Sequence, residues 1–488
     1  MRVVVLGRTR RIHFVGIGGS GMNGIAELLV NLGYLVSGSD LRKSDVTERL
    51  THHGIRVSEG HDARQVGDAD VVVFSSAVRP TNPEIVEATR RGIPVIPRAE
   101  MLAELMRLRF GIAVAGAHGK TTTTSMITLV LERAGLDPTA VIGGKLSTFG
   151  GHARLGRGQY MVVEADESDR SFLKLSPTIA VITNVDHEHL ENYGGFDHLK
   201  QAFVEFANKV PFYGAIVACA DDEVVRALIP GMTRRVMTYA LDAPEAQFTA
   251  SDVRTTGFTI GCRVWWQQPA PGRAGGAVMP MGEIALPVPG RHNLQNAMAA
   301  VAVATELGVG FDQIAAALAE FRGVERRFQW RGEVGGVVVI DDYGHHPTEI
   351  AAVIAAARSA LDRRIVVVFQ PHRYTRTQQL LDRFAPALAG ADQVVLTDIY
   401  AAGEDPIPGV TVETLAESIA RVRSQPIHVI KSLDEIAPGV ARLVKPGDVV
   451  ITLGAGSIGS VAERILDELK KPGPGRDGSK MQEVPPCR

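Results

Sequence analysis

The sequence predicts an α/β protein of three domains, each built on a parallel sheet. Three observations carry this. Apolar runs of strand length alternate with helical stretches along most of the 488 residues. The pattern G-x-G-x-x-G closes a strand twice, at Gly16–Gly21 and at Gly454–Gly459. Between them, Gly111-Ile-Ala-Val-Ala-Gly-Ala-His-Gly-Lys-Thr-Thr122 reads as strand, glycine loop, Lys-Thr and helix.

That third stretch organises the rest. Ile112 to Ala115 is a buried strand, and Thr122 to Ala134 is a helix with Met126, Ile127, Val130 and Leu131 on one face. This is the layout of a phosphate-binding loop: glycines turn backbone N–H groups inward, and the helix start adds partial positive charge. Lys120 is placed to reach terminal phosphates and the Thr121 hydroxyl to meet Mg2+. Val114 stands where the common pattern has glycine, and Gly116 comes two residues later, so the loop is a tighter variant.

Bulk properties bound the function. Apolar residues are 45% and charged residues 22%, as in a globular chain. A net charge of −2 gives no electrostatic case for nucleic acid or an anionic membrane. Cys219, Cys262 and Cys487 have no metal-ligand spacing, which favours a reducing compartment. The strand-like start, Met1 to Leu6, does not read as a signal peptide, and no apolar run reaches the ~18–20 residues of a membrane span. A cytoplasmic protein without membrane insertion is expected.

In chain order, residues 1–107 form a Rossmann-like domain. Strands are expected at Arg11–Val15, Tyr34–Ser37 (ending at Asp40) and Val71–Phe74, with a helix at Met22–Leu32. Gly16, Gly18 and Gly21, with Asp40 about 20 residues on, fit a dinucleotide fingerprint and taken alone suggest a dehydrogenase. Residues 108–323 form the central domain. Its strand Tyr160–Glu167 ends in Glu164, Asp166 and Glu167, carboxylates suited to Mg2+ beside a phosphate loop. The strand from Thr178 ends in Asn184, Asp186, His187 and His189, with His187 the stronger candidate ligand. Residues 263–290, with Trp265-Trp266 and the run Pro269 to Gly276, read as a loop or hairpin excursion. Asn293 and Asn296 share a face at the start of an Ala-rich helix (Ala297 to Leu307), where capping accounts for one and a ligand for the other.

Residues 324–472 form the third domain, with strands at Val337–Ile340, Ile365–Phe369, Val394–Thr397 and Val449–Leu453. Helical stretches run over Thr348–Leu361 and Thr411–Val422. Strand-end loops Asp341–Pro347 and Gln370–Arg376 gather His and Arg side chains suited to a carboxylate or phosphate. Residues 473–488 have the composition of a disordered tail.

Together the motifs resemble the Mur ligase family, and the resemblance covers the chain to about residue 470. The carrying stretches are His13–Met22, Gly116–Thr122, Glu164–Asp169, Arg291–Asn296, Arg326-Arg327-Phe328, Asp341–Glu349 and Gln370–Arg376. The resemblance implies an ATP-dependent ligase with Mg2+ that joins L-alanine to the lactyl carboxylate of UDP-N-acetylmuramate through an acyl phosphate, in peptidoglycan synthesis. It implies catalytic roles for Lys120, Glu164 and His187, with Thr121, Glu164 and His187 on the metal. Gly116, Ala117, His118, Gly119, Lys120, Thr121 and Thr122 would hold ATP, with Asn293, Asn296, Asp342 and one of Arg326 and Arg327. Gly16, Gly18, Gly19, Ser20, Gly21 and Met22 would meet the UDP-sugar, with Asp40, Ser75 and Ser76 as further contacts. Tyr343, His345, His372, Arg373 and Arg376 would receive the amino acid and the muramoyl end. A monomer or weak homodimer is implied. Ala117 departs from the family, which usually has Thr there. A sister ligase that reattaches a tripeptide to the same UDP-sugar shares the His-His-Pro signature.

Overall fold

The computed structural model describes residues 6–19, 21–75, 77–143, 153–268, 276–422 and 426–471. Expectations that fall on Met1 to Val5, Ser20, Ser76, the run 269–275, Cys487 and the tail 473–488 lie outside them. The chain divides into two compact units. One comprises residues 1–253, 261–286 and 293–324, and the other 254–260, 287–292 and 325–488. Among the described residues, no helix is long and apolar enough to cross a membrane.

The first unit holds two sheets. Strands β1 (Arg11–Val15), β2 (Leu35–Asp40), β3 (Arg56–Glu59), β4 (Val71–Phe74) and β5 (Val95–Pro97) form a parallel sheet in the order β3-β2-β1-β4-β5. Helices α1 (Met22–Asn31), α2 (Asp45–His52), α3 (Pro83–Arg90) and α4 (Arg98–Met106) belong to its crossovers. The order reverses between β1 and β4, and such sheets open a crevice there at the carboxyl ends of the strands.

The second sheet is built from β6 (Phe110–Ala115), β7 (Thr139–Val141), β8 (Ala153–Arg154), β9 (Tyr160–Glu164), β10 (Ile179–Ile182), β11 (Ala215–Cys219), β12 (Val236–Tyr239), β13 (Phe248–Thr256), β14 (Thr259–Gln267) and β15 (Val278–Leu286). Its order is β15-β14-β13-β12-β11-β10-β6-β9-β7-β8, so the phosphate-loop strand β6 lies between β10 and β9, parallel to both. One apolar cluster runs from Ile12 and Phe14 through Met101 and Leu105 to Met161, Phe172 and Phe203, which joins the two sheets into one unit.

Helix α5 (Lys120–Arg133) follows β6. It starts two residues earlier than expected, and it does not show one apolar face. Every residue from Thr121 to Leu131 is buried, threonines included. The sequence pattern misleads because a helix wrapped on all sides has no solvent face to carry polar residues. Strand β9 stops at Glu164 and leaves Asp166 and Glu167 on the following loop. Trp265 and Trp266 sit within β14, in the hairpin alternative of the excursion.

The second unit carries β16 (Gln329–Val334), β17 (Val337–Asp342), β18 (Arg364–Phe369), β19 (Gln393–Leu396), β20 (Ile427–Val429) and β21 (Asp448–Leu453), in the order β16-β17-β21-β18-β19-β20. Only β16 runs antiparallel to its neighbour. Alternate residues feed two cores. Val338, Ile340, Val367 and Ile451 face one, and Val337, Val339, Val366 and Val450 the other. A sheet covered on both faces explains why its strands read as unbroken apolar runs.

Candidate active site

The phosphate loop follows from how β6 and β10 end side by side. A Cβ on Gly116, at φ +141, would collide with the Thr183 hydroxyl, so only glycine fits. The neighbouring strand end grips the loop. Ala117 N–H donates to the Asn184 carbonyl at 3.1 Å, and His118 N–H donates to Asn184 Oδ1 at 2.7 Å. Thr183 Oγ1 and Asn184 Nδ2 donate to the His118 carbonyl at 2.7 and 3.0 Å. The His118 ring pairs with Asp186 at 3.1 Å. No side chain caps α5, so the N–H groups of its first turn remain for a ligand. Asn296 reaches the loop, with Oδ1 2.6 Å from where a Cβ on Gly119 would stand. Asn293 is likewise buried, one turn before it on the helix Arg291–Glu306.

Two carboxylates face the loop from the end of β9. The Thr121 hydroxyl lies 3.1 Å from both oxygens of Glu164, and Gly143 N–H donates to Glu164 Oε2 at 2.8 Å. A hydroxyl beside a carboxylate is a set of hard oxygen donors that suits Mg2+. Lys120 Nζ donates to Glu167 at 2.8 Å. Burial works against the lysine charge, but Glu167, Asp166 and Glu164 outweigh it and raise Lys120 above the ordinary range. Burial pushes the Glu167 carboxyl up, to about 7, against the pull of Lys120. Glu167, Glu188 and His189 also place ligand atoms within 4.8 Å of one another. His187 stands differently. Its side chain is 53% exposed and its ring stacks on Phe196, 3.8 Å between centroids, with no ion pair to Glu164 among the described residues.

The first amides of the first glycine loop are spent within the domain. Gly16 and Ile17 N–H both donate to the Ser39 carbonyl at 2.9 Å, and Gly18 N–H donates to Asp40 Oδ2 at 2.8 Å. Asp40 therefore braces the loop. Gly19 N–H bonds back to Gly16, Met22 is buried in the core, and Ser75 Oγ faces Gly19. Beneath this loop, fully buried Glu84 meets His13 at 2.5 Å, His61 at 2.7 Å and the Ser39 hydroxyl at 2.8 Å. A polar cavity of about 940 Å³ beside β3 is lined by His61, Arg56, Ser58 and Arg64 among others.

In the second unit, Asp342 is buried and accepts Phe328 N–H and Gly344 N–H, each at 2.6 Å. Burial pushes its carboxyl up, to about 6. Arg326 bonds Asp341 at 3.0 Å and the Gly454 carbonyl at 2.6 Å, which ties down the second G-x-G-x-x-G turn. Arg327 meets Glu349 at 3.3 Å, and both guanidiniums lie over the Tyr343 ring. His345, His372 and Arg376 cluster: the two rings are 5.5 Å apart, and Arg376 lies 3.1 Å from His372 Nδ1. Burial, with His345, Arg376 and Arg373 alongside, pushes His372 down to about 3, so it stays neutral. Arg373 takes φ +70 and faces Glu404 at 3.9 Å.

Sequence reasoning gave no role to Asn184 or Asp186 in shaping the loop, and Glu84, Glu404 and Arg98 went unmarked. Only the strand-end position of Asn184 and Asp186 hinted at a site.

A parallel sheet that delivers Lys, Thr and Glu to one phosphate loop, beside a nucleotide-type domain, defines a nucleotide-dependent enzyme. The chain belongs to the Mur ligase family. It matches the Mur ligase family catalytic domain over residues 11–110, the Mur ligase middle domain over 114–304 and the Mur ligase glutamate ligase domain over 326–456. Among individual proteins, it is 53% identical over 465 residues to the UDP-N-acetylmuramate–L-alanine ligase of Geotalea daltonii, covering 95% of this chain and 99% of that one. The crystal structure of the UDP-N-acetylmuramate-alanine ligase of Thermotoga maritima aligns with TM-score 0.77 and 31% identity, over 94% and 98% of the two chains. The murein peptide ligase of Psychrobacter arcticus aligns with TM-score 0.67 and 25% identity, over 97% and 100%.

Proposed function

We propose that this chain uses ATP to join L-alanine to the lactyl carboxylate of UDP-N-acetylmuramate, a cytoplasmic step of peptidoglycan precursor synthesis. The observation that carries the chemistry is Lys120 and the Thr121–Glu164 pair on one uncapped helix start. Full-length similarity to L-alanine ligases supplies the substrates.

The lactyl carboxylate must approach an anionic γ-phosphate. Two unit charges at about 4 Å repel by about 4 kcal/mol at an effective dielectric near 20. Lys120 lowers that barrier by leaving Glu167 for the phosphate oxygens, and the first-turn N–H groups of α5 add fixed positive ends. Thr121 and Glu164 would hold Mg2+, which when bound neutralises further phosphate charge, and His187 is proposed as an additional ligand. The carboxylate oxygen then attacks the γ-phosphorus and ADP leaves. The alanine amine attacks the acyl phosphate, phosphate leaves, and an amide remains. Asn293 and Asn296 are assigned to the nucleotide, as are Asp342 and the Arg326–Arg327 pair. In the second unit, the Arg373 and Arg376 guanidiniums, with the His345 and His372 rings beside them, make a polar group suited to a carboxylate, which we assign to alanine and the muramoyl end. Gly16 to Met22 and Ser75 are assigned to the UDP-sugar.

Phosphate release from ATP, with UDP-N-acetylmuramate present and L-alanine added last, tests this. Release that needs both supports it. Release with a tripeptide in place of alanine would move the assignment to the peptide-reattaching sister enzyme, the reading favoured by the Psychrobacter arcticus similarity.

A further inference from the structure

We propose that Arg98 grips the pyrophosphate of the UDP-sugar at the start of α1. This rests on the ligase reading above. Arg98 is the first residue of α4, and only 19% of its side chain is exposed. Among the described residues its one ion pair is with Asp166 at 3.6 Å, longer than the ~2.7–2.9 Å of a charge-assisted bond. Among the described residues its guanidinium makes no hydrogen bond. A largely buried cation so weakly paired is short of an anion.

The surroundings say where that anion sits. Nη1 lies 2.6 Å from where a Cβ on Gly21 would stand. Gly21, at φ +77, is the N-cap of α1, which has no side-chain cap and no acidic residue in its first turn. The guanidinium thus occupies the positive end of a helix, where a cation is disfavoured and an anion is welcome. The glycine loop cannot hold a diphosphate with its first amides, because Gly16, Ile17 and Gly18 N–H are bound to Ser39 and Asp40, and Gly19 N–H to Gly16. Arg98 is at hand to add donors beside that helix start, with a fork that fits phosphate oxygens. Asp166, itself held by Ser168 N–H at 3.0 Å, keeps the fork aimed before the ligand arrives.

The test is calorimetric binding of UDP-N-acetylmuramate, UDP-N-acetylglucosamine and UDP to the full chain and to Arg98→Lys, which keeps the charge and most of the packing. Arg98→Met is the second variant. We expect all three ligands to weaken tenfold or more in parallel, with the KM for ATP within twofold and the thermal midpoint unchanged for Arg98→Lys. Unchanged affinities would overturn the proposal. So would a loss confined to UDP-N-acetylmuramate, which would assign the guanidinium to the lactyl carboxylate. Failure of the unaltered chain to bind any of the three would overturn the ligase reading as well.

Discussion

Lys120 Nζ donates to Glu167 at 2.8 Å while its own loop, through the carbonyls of Gly116 at 2.6 Å and Ala117 at 3.2 Å, takes its other hydrogens. All three ammonium donors are used before any phosphate arrives. The lysine is stored in place, and Glu167 is its buried counterion.

Removing the lysine should therefore cost turnover and stability separately. Lys120→Ala is expected to lower kcat by about 10²–10³-fold, the scale of losing one transition-state donor. It should also destabilise the first unit by roughly 3 kcal/mol, because Glu167 is left buried and unpaired. Adding Glu167→Gln should recover much of the stability and none of the turnover. Denaturant titration and steady-state rates read the two effects. A single variant as stable as the parent would show that the pair contributes nothing.

The Thr121–Glu164 pair is a statement about Mg2+. Glu164→Gln should raise the half-saturating Mg2+ concentration at least tenfold, and Thr121→Val should do so more weakly. Mg2+ titrations at fixed ATP measure this. A loss of rate at unchanged Mg2+ dependence would move the metal elsewhere, with Glu167, Glu188 and His189 the next set to vary.

Ala117 touches its neighbours through its backbone, donating to Asn184 and accepting from Lys120. Ala117→Thr should thus change the KM for ATP by less than tenfold. A larger change would mean that the side chain at this position, and not the amide, carries nucleotide affinity.

His372 gives a pH signature. Its folded value of about 3 lies below the ordinary 6.5. Below pH 6.5 the unfolded chain takes up a proton that the folded chain refuses. Its contribution to stability is whole above 6.5 and is lost as pH falls toward 3. Glu167 and Asp342 are shifted upward and act in the opposite direction. The comparison must therefore be between the parent and His372→Gln. The variant should lose less stability than the parent between pH 6.5 and 4, and equal losses in the two would refute the assignment.

Much of this fold can be read from the chain because a sheet covered on both faces writes its strands as apolar runs. Strand β1 and strand β4 begin and end as expected, and β17, β18 and β21 fall within two residues of expectation. The β13-β14-β15 extension was harder to read, since most of its residues are half-buried or exposed and its strands carry Arg, Gln and Gly among the apolar ones. In the site, Lys120, Thr121 and Glu164 are marked by their own chemistry. Asn184 is not, because an amide at a strand end looks like any turn former until β6 and β10 are seen side by side. Asp40 is the opposite case. Its spacing from the glycines fits a ribose acid, yet the distance also suits a carboxylate folded back onto Gly18 N–H.

Helix α5 is enclosed from Thr121 to Leu131. Its amides should be among the slowest in the molecule to exchange with deuterium, opening only when the whole unit opens. The segment proposed to grip the nucleotide would then also be the segment the chain gives up last. Partial unfolding, a nick in a surface loop or a frayed edge strand would leave this helix standing, so Lys120 and Thr121 at its start would be among the last groups the protein loses.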